Sequence, residues 1–300
     1  MDSTASGFNL ASYVQRRQLH AYEQDMARVG YAYGVDLRRA RWFATSALCQ
    51  TAIRSVELRW YELIGELVPD ELTFPEGPED MPVLAEISRI CNLLHMRAPG
   101  VRVLTDSARA SAAWGLVTPM GSVRGSEDWL VIDVPGLSAL PAEERAFLLG
   151  LGLGHLQCGH GPIFVSHFVG HRAGGGRLIR RLLTPWTSLA VFSADRAGLL
   201  AAGGLEPALM GLGTAAAERV SWYPNFAPLH QRRQALEDFD RSRVAARVRT
   251  RVALARARVN LYNKQTDDEA GDTRVPRGVP EDAWPLARCD QRLTRRLRLL

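Results

Sequence analysis

Residues 148–161 read LLGLGLGHLQCGHG, with glycine at 150, 152 and 154. Upstream, Pro141 followed by Glu143 and Glu144 has the form of a helix start, with proline at the first helical position and acids in the first turn. The run from Pro141 to His160 reads as one helix, closed by Gly159-His160. Each glycine inside a helix costs about 1 kcal/mol relative to alanine. Three in five residues therefore require either close packing of another backbone or a locally loosened helix. The spacing is G-x-G-x-G inside a helix rather than G-x-G-x-x-G after a strand, which argues against a dinucleotide loop.

On either side the chain alternates helical and extended signals. Residues 8–66 read as two or three helices, with Trp42, Ala47, Ile53, Val56, Leu58, Trp60 and Ile64 at roughly helical spacing. The proline-rich stretch 70–82 reads as a loop, and 83–96 as a further helix. VRVL (101–104), AAWGLVT (112–118) and WLVID (129–133) read as three strands of a small sheet. After the glycine-bearing helix come a loop at Ala173-Gly174-Gly175-Gly176, a helix from about 178 to 202 and another from 205 to 220. The pattern predicts an α+β, mostly helical protein. It divides into an N-terminal helical region (1–80), a central domain (81–240) and a C-terminal region (241–300) with a basic helix and tail.

With 300 residues, 46% of them hydrophobic, the chain has enough apolar content for a sizeable core. It has no apolar run of eighteen residues, so no membrane span is expected. The opening MDSTASGFNLASYVQRR lacks a basic segment followed by an apolar one, so a secretory signal is not expected. Cys49, Cys91, Cys158 and Cys289 are widely spaced and form no C-x-x-C, in keeping with reduced thiols in a cytoplasmic protein.

Charge is uneven. Residues 241–300 hold 15 basic and 7 acidic side chains, a net of +8, so the first 240 residues carry −3 of the overall +5. Lys264 is the single lysine among 37 basic residues, a bias that fits a GC-rich genome better than a choice of guanidinium chemistry. In the 241–262 helix, Val244, Val248, Val252, Ala255 and Val259 form one face, beside a stripe of Arg243, Arg247 and Arg251. A valine face without Trp or Phe predicts docking on its own protein. Nucleic acid, an anionic surface or a protein partner is the alternative for the arginines.

Three ordered segments carry a family resemblance. These are VRVLTDS followed by Ser111-Ala112-Ala113-Trp114-Gly115, then WLVIDVPGL leading into the helix ending G-H-L-Q-C-G-H, then Val191-Phe192-Ser193-Ala194-Asp195-Arg196-Ala197-Gly198. Over about 83–205 the chain resembles the HtpX-type zinc metallopeptidases, the family that includes the CAAX prenyl endopeptidases, and most of all their soluble branch. The resemblance implies a zincin-type fold with a small sheet packed on the active-site helices. In that family the helix reads H-E-x-x-H, two zinc ligands on one face with the catalytic glutamate between them, and a later E-x-x-A-D supplies the third ligand. Carried over residue by residue, the ligand positions are Leu151, His155 and Val191, and the base position is Gly152. Two ligands and the base are absent, so neither metal nor catalysis is expected there, and Leu and Val would fill the former metal cavity. Asp195 stands where the family orients a ligand histidine from behind. A buried His155–Asp195 hydrogen bond is therefore expected, with His160 as a further structural histidine.

A substitute zinc site is the rival. His155, Cys158, His160, His167 and His171 fall close together, with His167 and His171 at helical i, i+4 spacing, but no Asp or Glu lies between 146 and 194 to act as base. The expectation is a cofactor-free, catalytically inactive relative that binds a protein partner as a scaffold or regulatory subunit. The alternative is an active zinc metalloendopeptidase with a rearranged site.

Overall fold

The computed structural model describes residue 23 and residues 25–111, 113–121, 128–172, 177–218, 220–264 and 278–299. The expected helix before residue 23, the loop at 173–176 and most of the polar loop at 263–282 lie outside the described residues. In chain order the elements are α1 (Gly34–Thr45), α2 (Ala47–Glu71), β1 (Leu72–Thr73), α3 (Met81–Leu94), β2 (Gly100–Leu104), α4 (Asp106–Ala110), β3 (Val117–Met120) and β4 (Trp129–Ile132). There follow α5 (Val134–Ser138), α6 (Ala142–Gln157), α7 (Gly161–Arg172), α8 (Arg177–Ala202), α9 (Leu205–Ala217), α10 (Leu229–Asp240), α11 (Arg243–Lys264) and α12 (Leu286–Arg296). The protein is α+β and mostly helical, as the sequence pattern predicts.

α6 and α8 pack backbone against backbone, which explains two of the three glycines. A Cβ on Gly150 would lie 2.5 Å from the Ala201 Cβ and 3.0 Å from the Gly198 Cα. One on Gly154 would lie 2.5 Å from the Ala197 Cβ and 3.2 Å from the Ala194 Cα. The small residues of α8 form a seam for the small residues of α6. Gly159 ends α6 at φ 76°, and the Gly159 and His160 amides donate to the Leu156 and His155 carbonyls. This left-handed cap turns the chain directly into α7.

The sheet has the order β1-β2-β4-β3. β2 and β4 are parallel, and β1 and β3 pair antiparallel at the two edges. Two expectations need correction. The middle strand begins at Val117, not at 112, because side chains hold the preceding segment: Trp114 Nε1 donates to Glu71 Oε2, and Trp222 Nε1 donates to the Ala113 carbonyl. The expected loop at 70–82 contains β1, where Leu72 is buried against Leu104 of β2.

The main core cluster draws on all three regions, from Tyr31 and Ala32 through α3, α6 and α8 to Ala245 of α11. Trp42 and Leu58, expected on buried helix faces, are exposed. α11 docks on the protein as its valine face predicts. Ala245 and Ala246 are buried, Val244 and Val248 pack on the core, and Arg243, Arg247 and Arg251 are exposed. The Ala255 and Val259 side chains lie outside the described residues. The basic end is an ordered helix that returns to the start of the chain. Asp290 of α12 accepts from the Gly34 amide and pairs with buried Arg196 at 2.8 Å, and Thr294 bonds Tyr33 Oη. Among the described residues no helix is long and apolar enough to cross a membrane.

The glycine seam makes a paired prediction. Gly150→Ala raises helix propensity yet lowers stability by about 1–2 kcal/mol, because the added methyl overpacks the α6–α8 contact. Gly213 sits in α9 with open space around its Cβ position. Gly213→Ala raises stability by about 0.5–1 kcal/mol. Urea unfolding of the two variants checks the opposite signs, and equal effects would disprove the seam.

Candidate functional site

On α6, Leu151 and His155 stand one turn apart and line a cleft of about 310 Å³. Val117 and Pro119 of β3 form one wall, and Phe164 of α7 another. The segment after α9 supplies Glu218, Tyr223 and Phe226, and α10 supplies Arg232. Aromatic groups hold the His155 ring: it stacks on Phe226 at 5.5 Å between centroids and meets Phe164 edge-on at 5.0 Å.

Behind His155 runs a buried polar chain. His155 Nδ1 lies 3.0 Å from His160 Nδ1, and His160 Nε2 lies 3.1 Å from both carboxylate oxygens of Asp36. Asp36 also accepts from Trp186 Nε1 at 2.8 Å and from the Ser193 hydroxyl, whose oxygen accepts from the Tyr33 amide. All these side chains except Trp186, at 4% exposure, are at most 2% exposed. When each imidazole carries a single proton, the chain of contacts fixes where that proton sits. Asp36 only accepts, so His160 carries hydrogen on Nε2 and a lone pair on Nδ1. His155 then donates through Nδ1–H and keeps its lone pair on Nε2. Burial above all, with the Arg232 charge nearby, holds the His155 imidazole well below its ordinary range, so it stays neutral. Its Nε2 is buried with no hydrogen-bond partner in the protein.

The expected His155–Asp195 bond is not formed. Asp195 accepts two hydrogen bonds from Arg232, at 2.9 Å from Nε and 2.6 Å from Nη2, and both side chains are buried. A guanidinium fork satisfies both carboxylate oxygens at once, which a single imidazole nitrogen cannot. Arg232 lies 37 residues downstream of Asp195, on a helix beyond the span of the resemblance.

The carried-over positions fare differently. Leu151 is half-buried and lines the cleft, so hydrocarbon borders this space without filling it. At Gly152 a Cβ would lie 2.5 Å from Val117 Cγ1 and 3.0 Å from Leu130 Cδ1, which leaves no room for a carboxylate side chain. Val191 is fully buried with Tyr33, Leu189, Phe192 and Ala227, and is not among the residues lining the cleft. The alternative metal set splits. Cys158 and His160 come together with Asp36, their donor atoms within 4.8 Å of one another. His155 reaches this group through His160 alone, half-buried His167 is drawn towards the Trp222 backbone, and His171 is exposed on α7. Burial and then Asp36 push the Cys158 thiol up to about 12, so it is protonated.

Four side chains of this region have no motif to announce them: Asp36, Glu218, Tyr223 and Arg232. Gly115 makes space for two of them, since a Cβ there would collide with Tyr223 Oη and Glu218 Oε2. The Leu116 amide donates to Glu218 Oε1 at 3.3 Å, and Tyr223 Oη donates to the Val117 carbonyl at 3.2 Å. Burial lifts the Glu218 carboxyl to about 7. No family model matches the chain, and neither does any curated protein or solved structure with which it was compared.

Two predictions follow from these contacts. Asp195→Ala strands the buried Arg232 charge and lowers stability by about 3–5 kcal/mol. An unchanged urea midpoint would show the pair to be of no consequence. Glu218 is more basic in the folded than in the unfolded chain, so it binds its proton preferentially in the folded state. Its contribution is present below its ordinary value of 4.5 and is lost as pH rises through about 7. His155 acts oppositely: its depressed basicity makes stability rise with pH up to the ordinary 6.5. Comparing Glu218→Gln with wild type isolates the carboxyl. The variant gains relative stability from pH 5 to pH 8, by at most about 3 kcal/mol. A pH-independent difference would contradict the assignment.

Proposed function

We propose that this chain is an HtpX-like protein whose peptidase chemistry has been lost and whose cleft binds without cleaving. The observation that carries the reading is the fate of His155. It is the one zinc-ligating residue type retained at the carried-over positions, and its Nδ1 is committed to a hydrogen-bonded chain ending at Asp36. The other carried-over positions hold Leu151, Gly152 and Val191, which supply neither a metal donor nor a base. The edge strand supports the same reading. Pro119 offers no N–H, and the Val117 carbonyl already accepts from Tyr223, so a substrate peptide finds few backbone partners along β3. The function that remains is binding, as a scaffold or regulatory subunit, with the exposed arginines of α11 as a second contact for a protein or polyanion.

One observation favours an alternative, a zinc protein with a rearranged site: the convergence of Asp36, Cys158 and His160. All three are fully buried and lie apart from the residues that line the cleft, so an ion held there would not sit in the cleft. Metal content separates the readings. The purified protein is expected to carry far less than one zinc per chain, and added zinc leaves its Tm unchanged. An ion bound to the folded state alone would raise stability by RT ln(1 + [L]/Kd). Stoichiometric zinc, lost together in Cys158→Ser and His160→Gln, would overturn the proposal.

A further inference from the structure

We infer that the cleft is a site for a small, uncharged, largely apolar molecule carrying one hydroxyl, best as a phenol, which donates to Nε2 of His155. The inference rests on the reading of the cleft as a binding site and goes further by naming what it binds.

His155 is 1% exposed, lines the cleft, and has a buried Nε2 with no partner in the protein. An unsatisfied buried polar atom is costly, and a ligand that satisfies it recovers that cost on binding. The proton arrangement set by Asp36 and His160 makes this atom an acceptor, so the ligand must donate. Charge narrows the choice. A carboxylate or phosphate has no proton to give. An ammonium would enter beside Arg232, whose positive charge already depresses the basicity of His155. A neutral donor remains.

The other polar groups in the cleft each have a partner in the protein. Arg232 holds Asp195, Tyr223 Oη donates to the Val117 carbonyl, and Glu218 accepts from the Leu116 amide. One donor therefore suffices, and the rest of the ligand meets hydrocarbon and rings. Phe164, Phe226 and Tyr223 offer aromatic faces and edges, the surroundings that suit an aromatic ring. A volume of about 310 Å³ is at the small end for ligand pockets and fits a single substituted ring.

The test compares 4-propylphenol with propylbenzene on the full-length wild-type protein at pH 8, by titration calorimetry. Partition from water alone favours the hydrocarbon, since a buried hydroxyl without a partner is unfavourable. The inference predicts the reverse, with the phenol tighter by about 10- to 100-fold. His155→Phe removes that preference, and Leu151→Trp, which fills the cleft without touching the polar chain, abolishes binding of both probes. In wild type, the ¹⁵N resonance of His155 Nε2 moves on adding the phenol and not on adding propylbenzene, a readout that needs no variant to fold. Equal affinities, absence of binding by the phenol, an unmoved Nε2 resonance, or undiminished binding in Leu151→Trp would overturn it. These outcomes are separable from loss of the proposed function. A zinc-free protein that fails to prefer the phenol sinks only the ligand class, whereas stoichiometric zinc sinks the reading beneath it.

Discussion

The contact between α6 and α8 sets the geometry of everything else. Two glycines of α6 meet alanines and a glycine of α8 with backbone nearly touching backbone. Helices packed this closely have little freedom to slide or roll, because interdigitated small residues leave no slack. The seam occupies one side of α6. The side bearing Gly152 is pressed onto Val117 and Leu130 of the sheet. Leu151 and His155 are thereby directed to the side that remains, where the cleft lies. The intrinsic cost of the glycines in a helix, about 1 kcal/mol each, is offset by the packing they permit.

The second organising feature is a buried carboxylate. Asp36 lies on α1, wholly inside the protein, and accepts from an indole, a hydroxyl and an imidazole. A buried charge without such partners would be strongly unfavourable. With them it fixes the tautomer of His160 and, through it, the tautomer of His155. A residue more than a hundred positions away in sequence thus decides whether the cleft presents a donor or an acceptor. Arg232 and Asp195 form a separate satisfied pair beside it, which frees His155 from the partner the motif reading assigned to it.

The same constraints shape the cleft. Gly152 is held against the sheet, and β3 is capped by Tyr223 and interrupted by Pro119. Metal-ligating donors do converge nearby, but on buried residues outside the lining of the cleft. Binding in the cleft requires only a shaped apolar space with one oriented polar atom, and the Asp36–His160–His155 chain supplies that atom. The arginines on α11 lie on the outer surface of a helix whose inner face is already docked, so they are displayed outward by the fold itself.

Much of the framework was legible in the sequence because it rests on local physics. Proline and acids start α6, and Gly159 ends it. The short β-branched and aromatic runs of β2 and β4 mark strands, and the valine face of α11 predicts its docking. Close backbone packing was one of the two outcomes that the glycine triplet allowed. That positions 151, 152 and 191 carry neither a metal ligand nor a base was equally plain from residue identity. What only the tertiary structure decided are the pairings across long stretches of chain: Asp36 with His160 and Trp186, Arg232 with Asp195, Glu218 and Tyr223 against the space beside Gly115. Hydrophobic periodicity reports which face of an element is buried and says nothing about which buried polar groups meet. A carboxylate takes whichever strong donors the packed helices bring within reach, and that choice is made in three dimensions. The same reason explains the short β1 and the late start of β3, since two residues of strand gain their hydrogen bonds from a neighbour that the local sequence does not contain.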